Sequence, residues 1–295
     1  MISSIWFGAL EQGLLYGVMV LGVYITFRVL DFPDLTVDGS FTLGGAVAAR
    51  LIMEGYDPWL GTVLALIVGV GAGLVTGLLH TRLRIAPLLA GILMMIALYS
   101  INLRIMGGKA MLSLLRLDII FTDVAALVPR NYAVLALGLL VAAGAAYLLY
   151  IFLLTEVGMA LRATGDNEQM IRSMGVNTDS SKVLGLALGN GLVALAGAMV
   201  AQYQSYSDVG MGIGMIVVGL ASVIMGEVVI GNKTLLRTLI AVLIGSIIYR
   251  EVIALVMWLG LPTTDLKLFT AILVVLAMAS PIIKEKFRPV KLTER

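Results

Sequence analysis

Long apolar stretches separated by short polar connections run through almost the whole chain. A helix needs about 20 mostly apolar residues to cross a hydrocarbon core about 30 Å thick, and charged and turn-forming residues divide the sequence on that scale. About nine crossings are predicted. They run from Ser4 to Phe27, Thr36 to Met53, Pro58 to Leu79, Ile85 to Met106, Asn131 to Leu154, Lys182 to Gln204, Ile213 to Ile230, Leu235 to Trp258 and Leu266 to Ile283. The second is short and contains Gly44 and Gly45, which leaves a broken helix open beside a continuous one.

The composition indicates that the membrane is the main surroundings of this chain. Hydrophobic residues make up 60% of the sequence and charged residues 13%, whereas soluble domains are about 45–50% apolar and about 25% charged. The polar connections are too short to form a soluble domain. We therefore predict an all-α polytopic membrane protein in which residues 1–295 form a single transmembrane domain.

Several kinds of chemistry are excluded by what the sequence lacks. It has no cysteine, which removes disulfides, thiolate metal sites and cysteine nucleophiles. It has no Walker-type glycine loop for a nucleotide, and its single histidine, His80, has no ligand set nearby. We expect no catalytic residue, no metal site and no bound cofactor in this chain. Nucleic acid is not an expected partner, because the basic residues lie beside apolar runs instead of forming a patch.

Charge asymmetry predicts the orientation of the chain in the membrane. Basic residues cluster near the C-terminus, and placing that end in the cytoplasm puts the other Lys- and Arg-bearing connections on the same side. These are the connections with Arg28, with Arg82 and Arg84, with residues 156–182, and with Lys233 and Arg237. The outer loop 107–130 is the exception, and its stretch MLSLLRLDIIF predicts a helix lying on the outer surface. With nine crossings, the N-terminus lies outside.

One polar loop, residues 156–181, stands between two long apolar segments. Asp166 is predicted to cap a helix of about eight residues, with Gln169 three positions later as in a capping box and Gly175 as a left-handed stop. An isolated helix this short is not stable in water and must pack on something.

The apolar residues of this short helix suggest two packing partners. Met170, Ile171 and Met174 share a face by their spacing. Methionine side chains are adaptable and suit a face that enters a groove of a soluble partner. A surface helix that rests on the protein's own helix ends fits the spacing equally well.

The same loop and the helix after it carry a family resemblance. The run EVGMALRATGDNEQMIRSMGV and the apolar segment up to Gln204 resemble the signature region of permease subunits of ABC importers in the branched-chain amino acid and ribose permease family. Upstream, FPDLTVDGSFTLGGAVAA resembles a subgroup paired with lipoprotein-type binding proteins for amino acids, aromatic ones included. One departure is Glu227, where the family has a small residue. The matching residues are Gly158, Arg162, Ala163, Asn167, Gly175, Ala196, Gly197 and Gly226.

The resemblance implies a type II ABC importer-like fold with a short cytoplasmic coupling helix in the 156–181 loop. It implies a pair of permease copies in the bacterial inner membrane, two ATPase subunits that bind ATP and Mg and dock on the loop, and an extracytoplasmic binding lipoprotein. The candidate ATPase-coupling residues are Gly158, Arg162, Ala163, Asp166, Asn167, Met170, Ile171, Met174 and Gly175.

Polar residues inside the predicted crossings are candidates for the translocation path. They are Glu11, Asp38, Ser40, Asn102, Asn190 and Gln202. For each, a hydrogen bond between helices is the alternative. Asp31, Asp34 and Asp38 do not have the spacing of a calcium loop, and Asp34 or Thr36 is expected to cap the second crossing.

Two functions are consistent with the sequence. The first is the permease subunit of an ATP-driven importer that passes a small solute, by resemblance an amino acid, into the cytoplasm. The alternative is a self-contained, ion-coupled secondary transporter or channel in which Glu11, Asp38 and Arg250 couple ions to substrate. Nucleosides and sugars remain open as substrates.

Overall fold

The computed structural model describes residues 2–259 together with residues 268, 269, 271, 272 and 275. Most of this backbone is helical. The helices are α1 (Ile2–Val23), extended by a π-helix (Tyr24–Val29), α2 (Thr36–Met53), α3 (Pro58–Thr81), α4 (Pro87–Ile105), α5 (Ile120–Val124), α6 (Ala133–Leu154), α7 (Glu156–Asp166), α8 (Glu168–Ser173), α9 (Thr178–Gln204), α10 (Met215–Ile230) and α11 (Leu235–Trp258). Two short strands, β1 (Met111–Ser113) and β2 (Tyr206–Asp208), pair antiparallel.

Among the described residues, six helices are long and apolar enough to cross a membrane. They are Ile5–Val29, Pro58–Thr81, Pro87–Ile105, Ala133–Leu154, Thr178–Gln204 and Leu235–Trp258. The predicted count of nine crossings is therefore not confirmed. Helix α10 is shorter than these six, and most of the predicted ninth crossing lies outside the described residues.

Helices α1 and α9 form the centre of the bundle, and α9 packs against α1, α2 and α3. Close approach depends on small residues at the crossings. A Cβ atom at Gly44 would overlap the carbonyl oxygen of Ala194, and one at Gly197 would overlap that of Phe41. The possible break at Gly44 and Gly45 is not found, because α2 continues through both glycines and uses them to approach its neighbours.

The bundle has two distinct ends. The end with α7 and α8 is called the loop end, and the end with the β1–β2 pair is called the hairpin end. A surface helix was expected at MLSLLRLDIIF, but this prediction is wrong for its first part. Met111 to Ser113 form β1, because the segment pairs with β2 and buries Leu112 between two exposed neighbours. The short α5 follows and buries Ile120 and Phe121.

Helix α10 begins inside the bundle instead of at its surface. After β2, the chain turns back along α2, and the Gly212 amide donates to Thr42 Oγ1 at 3.0 Å. Non-helical backbone at membrane depth is tolerated only where protein or water satisfies it. The amides of Gly214 and Ile216 meet this condition by donating to the Asp38 carboxylate at 2.9 Å each.

Candidate functional site

Helix α7 lies at the loop end as an amphipathic helix. The Thr155 hydroxyl accepts from the Gly158 amide at 3.2 Å and caps its first turn. Gly158, Leu161 and Thr164 are buried against the bundle, whereas Val157 and Met159 are about half exposed (53% and 51%). The loop therefore contains a longer helical element than the sequence predicted.

The prediction that Asp166 caps the short helix is wrong. Asp166 is the last residue of α7, because α7 begins ten residues earlier at Glu156 and continues to this position. Asn167, which has an extended backbone, ends α7 and caps α8, since its Oδ1 accepts from the Met170 amide at 3.0 Å. Gly175 has φ of +89°, which confirms the left-handed stop after α8.

The three apolar residues of α8 do not share one exposed face. Met170 is 56% exposed and Met174 is 69% exposed, whereas Ile171 is 7% exposed. Ile171 packs on its own protein, because a six-residue helix must bury one apolar side to be stable. Its contact with an ATPase stays a prediction. The two methionines form an exposed apolar surface that we call the loop surface.

A charged network fixes α8 to the first turn of α9. The Lys182 ammonium lies 2.8 Å from Glu168 Oε1, and Arg172 Nη2 lies 3.2 Å from the same oxygen. Arg172 Nη2 also donates to Thr178 Oγ1 at 2.8 Å and lies 3.3 Å from Asp179 Oδ1. The sequence interpretation missed this network. Its signal was the spacing of four residues between Glu168 and Arg172.

Lys182 extends the network to α3. Its Nζ lies 3.4 Å from His80 Nε2, and His80 Nδ1 lies 2.8 Å from the Ile85 carbonyl oxygen. The Phe32 ring meets the His80 ring edge-on, with 5.2 Å between the ring centroids. His80 thus joins the ends of α3 and α9 beneath α8.

We expect the position of α8 to depend on the charge of Glu168. The hydrogen bond from Lys182 is the main cause that lowers the pKa of the Glu168 carboxyl, and the nearby charges of Lys182 and Arg172 act in the same direction. The stabilisation is therefore present above the ordinary pKa of glutamate and is lost as the pH falls through the lowered value. Exposed ion pairs contribute about 0.2–1 kcal/mol each, so the effect is local and modest.

This dependence can be measured with one label, because the chain has no cysteine. A spin label on a Gln169→Cys variant should report an ordered α8 at neutral pH and a mobile one at a pH well below the ordinary pKa of glutamate. Adding Glu168→Gln should give the mobile signal at neutral pH. Equal mobility of the label with and without Glu168→Gln at neutral pH would contradict this role of the carboxylate.

Helix α7 also touches the π-helix that extends α1 at the loop end. A Cβ atom at Gly165 would overlap the carbonyl oxygen of Val29, the last residue of the π-helix. On the other side of this π-helix, Arg28 Nε lies 3.0 Å from Glu227 Oε1 of α10. Glu227 thus has a specific partner at the position where it departs from the family pattern. The π-helix connects α7 with α10.

The structure brings the predicted coupling residues together at the loop end. Arg162, Asp166 and Asn167 are exposed, Ala163 is partly buried, and Gly158 is buried. Their contact with an ATPase stays a prediction.

Two of the predicted path residues belong to a buried polar network between α2 and α9. Ser40 Oγ donates to Asn190 Oδ1 at 2.7 Å, and Asn190 Nδ2 donates to Asp34 Oδ2 at 2.7 Å. The other oxygen of Asp34 accepts from the Thr36 amide at 2.9 Å. The N-cap position of α2 is Leu35, so the prediction that Asp34 or Thr36 occupies it is wrong, although Asp34 does bind the first amide of the helix. The four hydrogen-bonded residues are at most 1% exposed. In this conformation they join helices, which is the alternative that the sequence left open.

Gln202 and Asn102 are engaged in the same way. Gln202 Nε2 donates to Thr62 Oγ1 at 2.8 Å, and its Oε1 accepts from the Ile120 amide at 3.0 Å. Asn102 Nδ2 donates to the Gly39 carbonyl oxygen at 3.2 Å. Asp38 is occupied by the first amides of α10. That any of these residues lines the path stays a prediction.

Glu11 lies in a second polar cluster, nearer the hairpin end. The Tyr203 hydroxyl donates to Glu11 Oε2 at 3.4 Å, and Arg250 donates to Gln12 Oε1 at 3.4 Å. The Arg250 guanidinium lies 3.5 Å from the centroid of the Tyr16 ring, a cation–π contact. The cluster therefore combines a carboxylate, a guanidinium and tyrosine rings, and all but Tyr16 are partly accessible.

Comparisons with known proteins agree with the resemblance seen in the sequence. The profile of the family described as branched-chain amino acid transport system, permease component, matches residues 5–279. A tyrosine transport system permease protein from Clostridioides difficile is 44% identical over 271 residues, which cover 92% of this chain and 89% of the relative. An uncharacterised protein from Rickettsia prowazekii is 33% identical, with 92% of this chain and 96% of the relative covered.

More distant similarity extends to other permeases. The autoinducer 2 import system permease protein LsrC of Yersinia enterocolitica is 26% identical over 78% of this chain and 62% of its own length. Among solved structures, PsaBC from Streptococcus pneumoniae, determined in complex with Fab, has a TM-score of 0.55 at 16% identity and covers 99% of this chain. At that identity the likeness concerns the fold alone, and it agrees with the expected helical permease fold.

Proposed function

This chain belongs to the family of branched-chain amino acid transport system permease components, and we propose that it is the permease subunit of an ATP-driven importer whose cargo is an amino acid. Members of this family are permease components of transport systems. We therefore do not expect the chain itself to hydrolyse ATP. In this proposal, a separate ATPase pair binds ATP and Mg, a binding lipoprotein delivers the cargo, and a second permease copy completes the membrane pathway.

The observation that carries the proposal is the loop surface. Met170 and Met174 remain more than half exposed on a helix that the Glu168–Arg172–Lys182 network holds in place. An exposed apolar surface with a polar rim is typical of a site for a protein partner. Flexible methionine side chains favour a groove in that partner.

The contacts beneath the loop surface suggest how a movement of the partner would reach the membrane. Helix α8 is tied to α9 and α3 through Lys182, and α7 rests on the π-helix at Gly165. Rigid helices in direct contact can transmit a displacement, whereas a mobile loop would absorb it. We therefore propose that α7 and α8 together form the coupling element.

The Glu11–Arg250 cluster supports an amino acid as cargo. A free amino acid carries an ammonium and a carboxylate group, and Glu11 and Arg250 offer the two opposite charges at neighbouring positions. Ionisable residues inside a membrane protein are costly and mark pathways. The 44% identical relative is a tyrosine transport system permease, so tyrosine is the first cargo to test.

The proposed orientation places the loop end in the cytoplasm and the start of α1 outside. The loop end carries Arg28, Arg82, Arg84, Arg162, Arg172, Lys182, Lys233 and Arg237, which agrees with the positive-inside rule. An ATPase could reach the loop surface only from that side.

Uptake in reconstituted vesicles tests this function. The chain is incorporated with the ATPase and the binding protein of its own cell, and labelled tyrosine is supplied on the side of the hairpin end. We expect accumulation only when ATP is present at the loop end. Leucine and ribose, added separately in excess, show whether other amino acids or sugars compete.

The ion-coupled alternative predicts a different result in the same vesicles. If the chain alone accumulates solute along an ion gradient without ATPase or ATP, the importer proposal is wrong. The structure gives little support to ion coupling by Asp38, because both oxygens of its carboxylate accept hydrogen bonds from the amides of Gly214 and Ile216.

A further inference from the structure

A pocket of about 560 Å³ opens at the loop end between the end of α3 and the start of α9. Arg82 and Arg84 lie on one side of it, and the first turn of α9 lies on the other. Among the residues that the structure describes, neither guanidinium has an ion-pair or hydrogen-bond partner. Two exposed, uncompensated arginines beside a helix N-terminus favour an anion.

The backbone of the α3–α4 connection holds these arginines at the surface. Arg84 has φ of +55°, a left-handed conformation that is uncommon for residues other than glycine. Leu83, between the two arginines, is 65% exposed. The connection therefore places two arginines, with an exposed leucine between them, next to each other at the end of α3.

One acidic residue also lines this pocket, and its charge is compensated. Asp179 Oδ1 lies 3.3 Å from Arg172 Nη2, outside the pocket lining. The pocket therefore keeps a net positive character from Arg82 and Arg84.

The opposite wall of the pocket is apolar and faces the membrane. Leu74 and Leu78 of α3 are 39% and 45% exposed, and Val183 and Leu184 of α9 complete this wall. Free phosphate and nucleotides have no hydrocarbon chain that could contact this apolar wall. A ligand with a charged head and an apolar tail would use both halves.

A second cavity lies further along α3 and α9. That cavity has a volume of about 460 Å³, is lined almost wholly by apolar side chains, and lies between α3, α6 and α9. Leu66 and Val70 line it on α3, in the same series of four-residue steps as Leu74 and Leu78 of the pocket. From Leu78 to Leu66 the helix rises about 18 Å, close to the depth of about 15 Å of one leaflet of the hydrocarbon core.

We propose that the pocket and the cavity together form a binding site for one anionic phospholipid. The headgroup phosphate lies between Arg82 and Arg84, and an acyl chain follows α3 past Leu74 into the apolar cavity. Basic pockets between membrane helices bind anionic lipid headgroups in this way. The site does not depend on the proposed import activity, because it needs only the membrane and these residues.

Native mass spectrometry of the purified chain tests this site. Phosphatidylglycerol and phosphatidylcholine with the same acyl chains are added separately in mild detergent. We expect clear preference for phosphatidylglycerol, and a roughly thirtyfold loss of its apparent affinity in the Arg82→Gln, Arg84→Gln double variant. Arg104→Gln, which changes an exposed arginine at the hairpin end, serves as the control for loss of a positive charge elsewhere and should retain the preference.

A second variant tests the acyl-chain half of the site. Leu74→Trp keeps both arginines but fills the proposed path between pocket and cavity, and it should weaken phosphatidylglycerol binding while the thermal midpoint of unfolding stays that of the wild type. Equal binding of the two lipids, or equal loss in Arg104→Gln, would overturn the proposal. Displacement of phosphatidylglycerol by millimolar inorganic phosphate would identify a phosphate site instead, and would also overturn it.

Discussion

A Gly165→Val variant should fold, reach the membrane and lose most of its uptake activity. The added side chain would overlap the carbonyl oxygen of Val29. The backbone of α7 and of the π-helix cannot rotate out of the way as a flexible side chain can. Overpacking of this kind costs about 1–3 kcal/mol. If it shifts α7 away from the π-helix, the population of the coupled state falls by roughly 5- to 150-fold.

The measurement compares uptake and ATPase association in the same preparations. We expect the ATPase to remain bound, because Gly165 does not belong to the loop surface, while ATP-dependent uptake falls. Gly71→Val is the matched control, since a Cβ atom at Gly71 has no heavy atom within 4 Å. Uptake by Gly165→Val at the level of Gly71→Val would show that contact between α7 and the π-helix is not needed for coupling.

Replacing Asn190 with alanine is expected to cause the largest loss of stability. The change leaves Asp34 Oδ2 without its side-chain donor and removes the acceptor of the Ser40 hydroxyl. A buried polar group that loses its partner costs about 1–3 kcal/mol, and a charged one costs more. The thermal midpoint of unfolding in detergent should fall by on the order of 10 °C.

Two further variants show whether this loss arises from the network. Asn131→Ala removes an exposed asparagine and should leave the midpoint unchanged. In a double-mutant cycle, Asp34→Ala combined with Asn190→Ala should destabilise by less than the sum of the two single changes, because residues in direct contact are coupled. Additive effects, or an unchanged midpoint for Asn190→Ala, would refute a shared network.

The parts of the fold that follow from local signals were predictable. The predicted second crossing coincides with α2, because Pro33 and the polar residues around it mark a helix boundary. Gly175 ended its helix as expected. These features depend on neighbours in the sequence, so they can be read from a single chain.

Other parts depend on contacts between distant segments. Asp38 binds the Gly214 amide, 176 positions later, and this bond allows α10 to begin inside the bundle. The strand at Met111 to Ser113 forms because β2 lies beside it. No local pattern specifies either partner.

The candidate site shows the same limit. The spacing of the loop's apolar residues placed Ile171 beside the two methionines, but it could not tell which side of α8 would rest on the bundle. The network of Glu168, Arg172 and Lys182 decides that orientation, since it ties one side of α8 to α9. Spacing therefore located the proposed coupling element, and tertiary contacts decide which of its residues remain exposed.

Co-purification of the tagged chain with the ATPases of its own cell tests most directly whether the loop surface is the docking site. The wild type is compared in mild detergent with Met170→Asp and with Met111→Asp, since these two methionines are equally exposed (56% and 55%) at opposite ends of the bundle. We predict that an ATPase stays with the wild type and with Met111→Asp and is lost from Met170→Asp. An ATPase that stays bound to Met170→Asp, or a wild type that purifies alone and still moves solute after reconstitution, would contradict the docking role of the loop surface.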